Sequence, residues 1–173
     1  MIMNKKVSDE EVEQTIIEYS DLLYKICFLI LKDDSDVQDV LQETFIKYMT
    51  KSPDFESEDH KKAWLIKVSQ NKCKEFLRFH KRHAAVPLEE VEESFSVTDG
   101  MDTDTSNILS LIWKLKYKLK SVVILYYIEG YKVNEVARIL GISESAVKKR
   151  LERARKELRI AKDVEGEIAY ERI

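Results

Sequence analysis

Residues 131–158 read YKVNEVARILGISESAVKKRLERARKEL, and this stretch predicts two short helices joined by a tight corner. The first helix carries apolar residues at three- and four-residue steps, namely Val133, Val136, Ala137 and Leu140. Gly141 supplies the left-handed residue that ends this helix, Ile142 fills the corner, and Ser143 caps the next helix. Because Ala137 is small, the two helices can approach as closely as a helix-turn-helix requires.

The second helix combines a buried stripe with a basic outer surface. The predicted stripe consists of Val147, Leu151, Ala154 and Leu158. With that stripe inward, the residues that point outward near the N-terminal half are Ser145, Lys148, Lys149 and Glu152. Recognition helices read base edges from this half. The residues better placed for flanking phosphates are Arg150, Arg153, Arg155 and Lys156, one or two of which can pack their stems along the core. We predict DNA binding, with an ordinary helical hairpin as the alternative.

The composition of the 173-residue chain favours helices. It has four Gly and two Pro, and 35% of its residues are charged, which leaves few turn-formers for a sheet. We therefore predict an all-α fold of two small helical domains joined by a flexible linker, the C-terminal domain being the helix-turn-helix. No apolar run approaches the roughly 20 residues of a membrane span, and no basic-then-apolar leader opens the chain. We expect no membrane insertion and a cytoplasmic location.

Three helices are predicted in the N-terminal part. The first covers Asp9 to Lys32, and Asp33-Asp34-Ser35 offers a turn and an N-cap before the second. The second helix ends at Ser52-Pro53 and shows an acidic outer face, made of Asp36, Asp39, Gln42 and Glu43. The third runs from about His60 to His83. Its predicted buried side consists of Trp64, Leu65, Val68, Cys73, Phe76 and Leu77.

The charges are segregated along the chain. Residues 60–83 hold eight Lys/Arg against one acid, and residues 144–162 hold eight against three, although the net charge is −3. Two basic blocks on helices suggest two phosphate-facing surfaces, whereas a single block would only indicate a solvated helix face. In the first block, residues at steps of four and three form one stripe: Lys67, Asn71, Lys74, Arg78 and Lys81.

These patterns divide the chain into three parts. We predict an N-terminal helical domain at residues 1–84, an acidic flexible linker at 85–107 and a C-terminal domain at 108–173, in which one or two helices precede the helix-turn-helix. Residues 89–104 carry seven acids and no Lys or Arg. No internal repeat is evident.

The residues that could carry catalysis or hold a metal are few. Cys27 and Cys73 are the only cysteines, which argues against a disulfide framework or a four-ligand zinc site. Cys27 is predicted in the core, and Cys73 is either a reactive thiolate among lysines or, as we favour, a packed side chain. His80 and His83 have a spacing that could bind a metal, but phosphate contact suits their basic neighbours better. We predict no metal site, no cofactor and no catalytic residue.

Three segments, in sequence order, resemble the sigma-70 family of RNA polymerase sigma factors, in particular its short extracytoplasmic-function (ECF) group. The run DVQDVLQETF at 36–45 resembles the family's second conserved region, and residues 63–78, from AWL to Arg78, resemble the part that melts and reads the −10 promoter element. Residues 128–155, with IEG at the start, GIS at the corner and VKKRLERAR at the end, resemble the fourth region, which binds the −35 element. The resemblance covers about residues 19–159.

The resemblance implies a sigma factor of the ECF type, a non-catalytic protein that binds core RNA polymerase and directs promoter-specific initiation. The implied partners are core polymerase, through its β′ clamp helices and β flap, promoter DNA and an anti-sigma factor. The residues implied for the −35 element are Ser143, Ser145, Lys148, Lys149, Arg150, Glu152 and Arg153. Those implied for the −10 element are Lys67, Asn71, Lys74, Arg78 and Lys81. Those implied for core polymerase are Asp36, Asp39, Gln42 and Glu43.

Melting also calls for aromatic side chains that stack on unpaired bases. Phe55, in the loop before the third helix, is a candidate for this role, whereas Trp64 is predicted to belong to the core. The chain departs from the family's pattern at four places. Leu119-Lys120 stands where a Leu-Pro is frequent, Lys132 where Ser often caps the helix, Ala146 where Thr is frequent, and Glu75 where aspartate is more usual. The family's −35 sequence preference is therefore not carried over.

The alternative function is a standalone helix-turn-helix transcriptional regulator of the response-regulator output type. Such a protein needs an N-terminal receiver domain or a ligand-binding domain. A receiver has alternating strands and an acidic phosphorylation pocket. Residues 1–107 predict helices only, which favours the sigma factor.

Overall fold

The computed structural model describes residues 7–83 and 103–158, with side chains from residue 107 onward in the second range. These residues form seven α-helices and one π-helical segment and no strand, which confirms the all-α prediction. The helices are α1 Asp9–Leu31, α2 Asp34–Lys51, α3 Glu58–His83, α4 Thr103–Lys114, α5 Tyr117–Val123, α6 Val133–Leu140 and α7 Glu144–Leu158, with the π-helical segment at Ile124–Ile128.

The first two helices begin and end where their polar residues predict. The Ser8 side chain accepts a hydrogen bond from the Glu11 N–H at 3.2 Å and caps α1. Lys32 adopts a left-handed φ of 66° and ends α1, and Asp33 caps α2 by accepting from the Asp36 N–H at 2.9 Å. The second helix stops at Lys51, just before Ser52-Pro53.

The three N-terminal helices pack around a buried tyrosine. Tyr48 of α2 is fully buried, receives a hydrogen bond from Thr15 at 3.2 Å and donates one to Glu11 at 3.1 Å. These bonds satisfy its hydroxyl, as burial requires. The apolar side chains that complete this part of the core include Leu23, Ile26, Ile30, Val37, Leu65 and Ile66.

The third helix departs from its prediction at its start and on its buried side. It begins at Glu58, two residues before the predicted His60. Lys61, counted among the phosphate-facing cations of the basic block, is buried beside Glu58 at 3.4 Å, with its ammonium 5.9 Å from the Tyr19 and Tyr48 ring centres. Leu65, Val68 and Cys73 are buried as predicted, whereas Trp64, Phe76 and Leu77 are half-buried against the core.

The second half of the described chain forms the C-terminal helical domain. Its first helix, α4, begins at Thr103, inside the stretch 85–107 predicted as linker, because the polar first turn gives no apolar periodicity before Ile108. The remainder of that stretch up to 102, and the basic residues beyond 158, lie outside the described residues. The buried side chains of this domain come from α4 to α7 and include Leu119, Val122, Ile124, Leu125, Val136, Val147, Leu151 and Ala154.

The two helical domains lie directly against each other. Helix α3 packs on α6, and α1 packs on α4 and α5. The Trp113 ring meets Phe28 edge-on at 6.2 Å, and the Tyr117 hydroxyl donates a hydrogen bond to the Gln70 carbonyl at 3.1 Å. Buried apolar residues of both domains belong to one continuous cluster. This contact decides which surfaces of α3 are open to solvent.

Candidate nucleic-acid and polymerase interface

The corner between α6 and α7 has the geometry that its sequence predicts. Gly141 has a φ of 66°, and the Ile142 N–H donates to the Ala137 carbonyl at 3.0 Å. The Ser143 hydroxyl accepts from the Ala146 N–H at 3.1 Å and so caps α7. The predicted inward residues of both helices are buried or half-buried. The helix-turn-helix is therefore confirmed as a fold.

The start of α6 is held by a contact that the sequence analysis missed. The Glu135 carboxylate accepts a hydrogen bond from the Lys132 N–H at 2.7 Å. This bond satisfies one of the free N–H groups at the helix start and puts negative charge at the positive end of the helix dipole. Glutamate three residues after the N-cap is the signal that could have predicted it. This hydrogen bond stabilises the start of α6, where the family often has a capping Ser.

The outer surface of α7 is largely open to solvent. The residues that are exposed there are Ser143, Ser145, Lys148, Lys149, Glu152 and Arg153. Toward the C-terminal end, Lys156 pairs with Glu152 at 3.1 Å and Arg153 pairs with Glu157 at 3.5 Å. Lys148 and Lys149 are thus the main exposed cations at the N-terminal half of α7.

Two arginines of α7 point toward the protein rather than away from it. Arg155 is half-buried and donates a hydrogen bond to the Tyr127 hydroxyl at 3.0 Å. Arg150 is half-buried, and its charge acts on Tyr117 of α5. The prediction that one or two arginine stems pack along the core is confirmed, and Arg150 is less open to DNA than its neighbours.

The basic stripe of α3 is partly covered by the C-terminal domain. Lys67, Asn71, Arg78 and Lys81 are exposed, and Lys74 is half-buried with its ammonium 5.9 Å from the Tyr117 ring centre. Lys67 lies beside the helix-turn-helix corner, where its Nζ is 3.4 Å from the position of a Cβ added to Gly141. The two predicted DNA surfaces are therefore neighbours in this structure.

The aromatic residues at the start of α3 form a packed group. The Phe55 ring lies 6.3 Å from Tyr48 and 5.6 Å from Trp64, and His60 meets it edge-on at 5.4 Å. Trp64 is half-buried in this group, in line with its predicted core position. Phe55 also packs here, so it is a partly covered rather than a free stacking surface.

The acidic face of α2 is exposed at three of its four predicted residues. Asp39, Gln42 and Glu43 are exposed, whereas Asp36 is half-buried. Burial, and then the charge of Asp33, raise the pKa of Asp36. Glu43 pairs with Lys72 of α3 at 3.0 Å, and this contact raises the pKa of Lys72. One of the four predicted polymerase-binding side chains is thus engaged within the protein.

The two cysteines are buried, whereas His80 and His83 are exposed and lie against phenylalanine rings. Cys27 and Cys73 are both fully buried, and contact with the Cys27 thiol, followed by burial, raises the pKa of Cys73. The reactive-thiolate alternative for Cys73 is therefore wrong. The ring centres of His80 and Phe76 lie 4.2 Å apart, with the two rings tilted by 37°. Among the described residues no group of three or more His, Cys, Asp or Glu could hold a metal ion, and no helix is long and apolar enough to cross a membrane.

The comparisons with known proteins match both domains. The family model described as Sigma-70 region 2 matches residues 15–83, and that described as Sigma-70, region 4 matches residues 105–158. The chain is 30% identical to RNA polymerase sigma factor NccH of Alcaligenes xylosoxydans xylosoxydans over 134 residues, 72% of each chain. It is 28% identical to ECF RNA polymerase sigma factor SigW of Bacillus subtilis, covering 91% of this chain and 92% of SigW.

A solved structure has the same arrangement of helices. CnrH, in complex with the cytosolic domain of CnrY, matches with a TM-score of 0.65 and 25% identity over 90% of both chains. An all-helical N-terminal region followed by a helix-turn-helix, with both matched in this order, defines a transcription initiation factor and not an enzyme. The chain belongs to the sigma-70 family of RNA polymerase sigma factors, in its ECF group.

Proposed function

We propose that this ECF sigma factor grips its promoter at two places, with α7 on the −35 element and the basic stripe of α3 on the −10 element. The exposed lysines at the N-terminal half of α7 support the first assignment. Ser145, Lys148 and Lys149 take the base edges and the nearest phosphates, and Arg153 takes a flanking phosphate. Ser143 contributes its cap, and Arg150 and Glu152 lie at the edge of this surface.

The second contact, made by the basic stripe of α3, is with melted DNA. Lys67, Asn71, Arg78 and Lys81 are exposed along one side of α3, at a spacing that follows a phosphate backbone. Lys74 joins them when Tyr117 no longer covers it. Single-strand binding by such a stripe depends on salt, because each phosphate contact releases counterions.

We assign the acidic face of α2 to core polymerase. Asp39 and Gln42 are exposed and carry no ion pair among the described contacts, so they are the strongest candidates for the β′ clamp helices. Glu43 is shared with Lys72, and Asp36 lies partly beneath the surface. We assign the contact with the β flap of core polymerase to the C-terminal domain. The protein works in the cytoplasm, where core polymerase is.

We also propose a protein partner that holds the factor inactive, of the anti-sigma type. The likeness to CnrH, which was solved with the cytosolic domain of CnrY, supports a partner of this kind. The two-domain packing seen here offers such a partner a joint surface made by α1, α4 and α5.

The experiment that tests the function mixes the protein with sigma-free core polymerase and a pool of DNA fragments with randomised −10 and −35 segments. The transcripts are sequenced to recover the fragments used. We expect transcripts that depend on the added protein and that share one motif in each segment. Enrichment of bound DNA without transcription would instead favour the standalone regulator.

A further inference from the structure

An acidic residue stands in the surface of α7 that we assign to the −35 element. The exposed residues Ser145, Lys148, Lys149 and Glu152 follow one another at steps of three, one and three, and the Glu152 side chain is 59% exposed. The base-reading positions of a homeodomain recognition helix have the same spacing. Glu152 therefore occupies the last of four positions from which a recognition helix reaches base edges.

The geometry of α7 directs the Glu152 side chain toward solvent. At about 100° per residue, Glu152 and Ser145 lie on the side of the helix opposite Val147, Leu151 and Ala154. Those three apolar side chains are buried, where α7 packs on α5 and α6. The carboxylate cannot turn toward that side without burying its charge. A DNA duplex that approaches the outer face of α7 therefore meets Glu152.

The charge of Glu152 opposes contact with DNA unless something offsets it. Duplex DNA carries one negative charge per about 1.7 Å of its axis, so phosphates repel a carboxylate held close to them. Within α7, the Lys156 ammonium lies 3.1 Å from the Glu152 carboxylate and balances its charge. Exposed pairs of this kind contribute little to stability, so the pair leaves the carboxylate able to accept another hydrogen bond. A donor on a base edge would use this capacity.

The four bases differ in what they offer a carboxylate in the major groove. Cytosine presents only a donor there, its N4 amino group, whereas guanine presents two acceptors and thymine presents one. Adenine presents a donor beside an acceptor, so a carboxylate that accepts from its N6 amino group also faces the lone pair of N7. A negatively charged acceptor at this position therefore favours cytosine over adenine, and disfavours guanine and thymine.

We propose that Glu152 is a specificity-determining residue of the −35 contact and that its carboxylate selects a cytosine. The carboxylate accepts a hydrogen bond from the N4 amino group of that base, and the neighbouring Lys156 ammonium reduces its repulsion by the phosphates. The inference rests on the assignment of α7 to the −35 element. It adds the base that one residue of this helix reads.

The test uses core polymerase and the DNA pool with randomised −10 and −35 segments, and compares the full-length wild type with Glu152→Gln and Glu152→Ala. We expect the wild-type transcripts to come from fragments with a cytosine at one −35 position, on one of the two strands, preferred by about tenfold. Glu152→Gln should move the preference at that position to adenine, because a glutamine amide pairs with N6 and N7 of adenine. Glu152→Ala should lose this preference and keep the others.

Two control variants separate base reading from the other effects of charge on α7. Lys156→Gln breaks the ion pair and keeps the Glu152 carboxylate, so it should keep the cytosine preference. Glu157→Gln removes an exposed carboxylate of the same helix, together with its pair to Arg153, and should give the wild-type motif. A thermal melt followed by circular dichroism shows that each variant is folded.

An unchanged preference at every −35 position in both Glu152 variants would overturn the inference and leave the assignment of α7 intact. A position that responds to Glu152 but favours another base in the wild type would overturn the choice of cytosine. Loss of the cytosine preference in either control would show a general effect of charge and would also overturn the inference. Wild-type transcripts that share no −35 motif would contradict the assignment of α7 itself.

Discussion

Lys67 of α3 lies beside Gly141 of the helix-turn-helix corner in the other domain, with Lys67 Nζ 3.4 Å from where a Cβ on Gly141 would stand. Gly141 also has a left-handed φ of 66°. One residue therefore ends α6 and leaves room for a cation of the neighbouring domain. The DNA-binding corner and the predicted melting surface are linked through this pair.

Replacing Gly141 by Ala should destabilise the C-terminal domain by about 1–2 kcal/mol, because a Cβ strains the left-handed conformation, whereas Lys67 Nζ at 3.4 Å would meet that Cβ in ordinary van der Waals contact. Asn tolerates this conformation better, so Gly141→Asn should cost less than Gly141→Ala. Urea unfolding followed by circular dichroism measures both free energies. Equal losses for the two variants would mean that the contact with Lys67, not the backbone, sets the cost.

Replacing Lys148 and Lys149 by Ala should weaken binding of duplex DNA that carries the −35 element. If each lysine contacts one phosphate, the slope of log K against log salt becomes less negative by about 0.9 per lysine. Fluorescence anisotropy from 50 to 300 mM salt measures the slope. The control is Lys114→Ala with Lys118→Ala, which removes two exposed lysines from α4 and α5. The same change in slope for the control would show a diffuse charge effect.

Reversing charge on α2 should reduce binding to core polymerase. Asp39→Arg with Gln42→Arg changes two exposed residues and leaves the pair of Glu43 with Lys72 intact, so folding should be preserved. We expect at least about a tenfold loss of affinity, corresponding to about 1.4 kcal/mol. The binding of isolated −35 duplex should not change. Glu10→Arg with Gln14→Arg, at two exposed residues of α1, changes the charge by the same amount and is the matched control; an equal loss there would contradict the assignment.

The pH dependence of stability should show the buried charge of Lys120. Its pKa is about 8 in the folded protein and about 10.4 in an unfolded chain, so between these values the unfolded state binds more protons and Lys120 makes stability rise with pH. Cys73 opposes this, because its raised pKa makes only the unfolded thiol ionise above about pH 8.5.

The difference between wild type and Lys120→Met isolates the contribution of Lys120, since both proteins keep Cys73. We expect the wild type to gain stability relative to the variant from pH 7.5 to 9.5, as measured by urea unfolding. Above about pH 10 both should lose stability, because burial raises the pKa of Tyr117 and of Tyr131, to about 12 for the latter. A constant difference from pH 7.5 to 9.5 would contradict the burial that lowers the pKa of Lys120.

The sequence predicted those features that depend on neighbours along the chain. Caps such as Asp33 and Ser143, the left-handed Gly141 and the amphipathic stripe of α7 are local, and all were predicted. Features created by packing between distant segments were not. The sequence pattern does not distinguish Lys61 and Lys120 from exposed lysines, because only the fold buries them.

The candidate sites follow the same division. Periodicity predicted which side chains share the outer face of α2 and the stripe of α3. It could not predict that Glu43 pairs with Lys72, or that the C-terminal domain rests on Lys67 and Lys74, because these contacts join helices separated by a loop or by the segment between the domains. Which site residues are free to bind a partner therefore depends on the packing of distant helices.

The most direct test of the claim that α7 binds the −35 element and α3 the −10 element is site-specific photo-crosslinking in an initiation complex with core polymerase. A benzophenone amino acid is placed at Ser145 on α7 or at Asn71 on α3, both of which are exposed. The account predicts crosslinks from position 145 to the −35 duplex and from position 71 to one strand near −10. Crosslinks from both positions to the same element, or from position 71 to the −35 duplex, would contradict it.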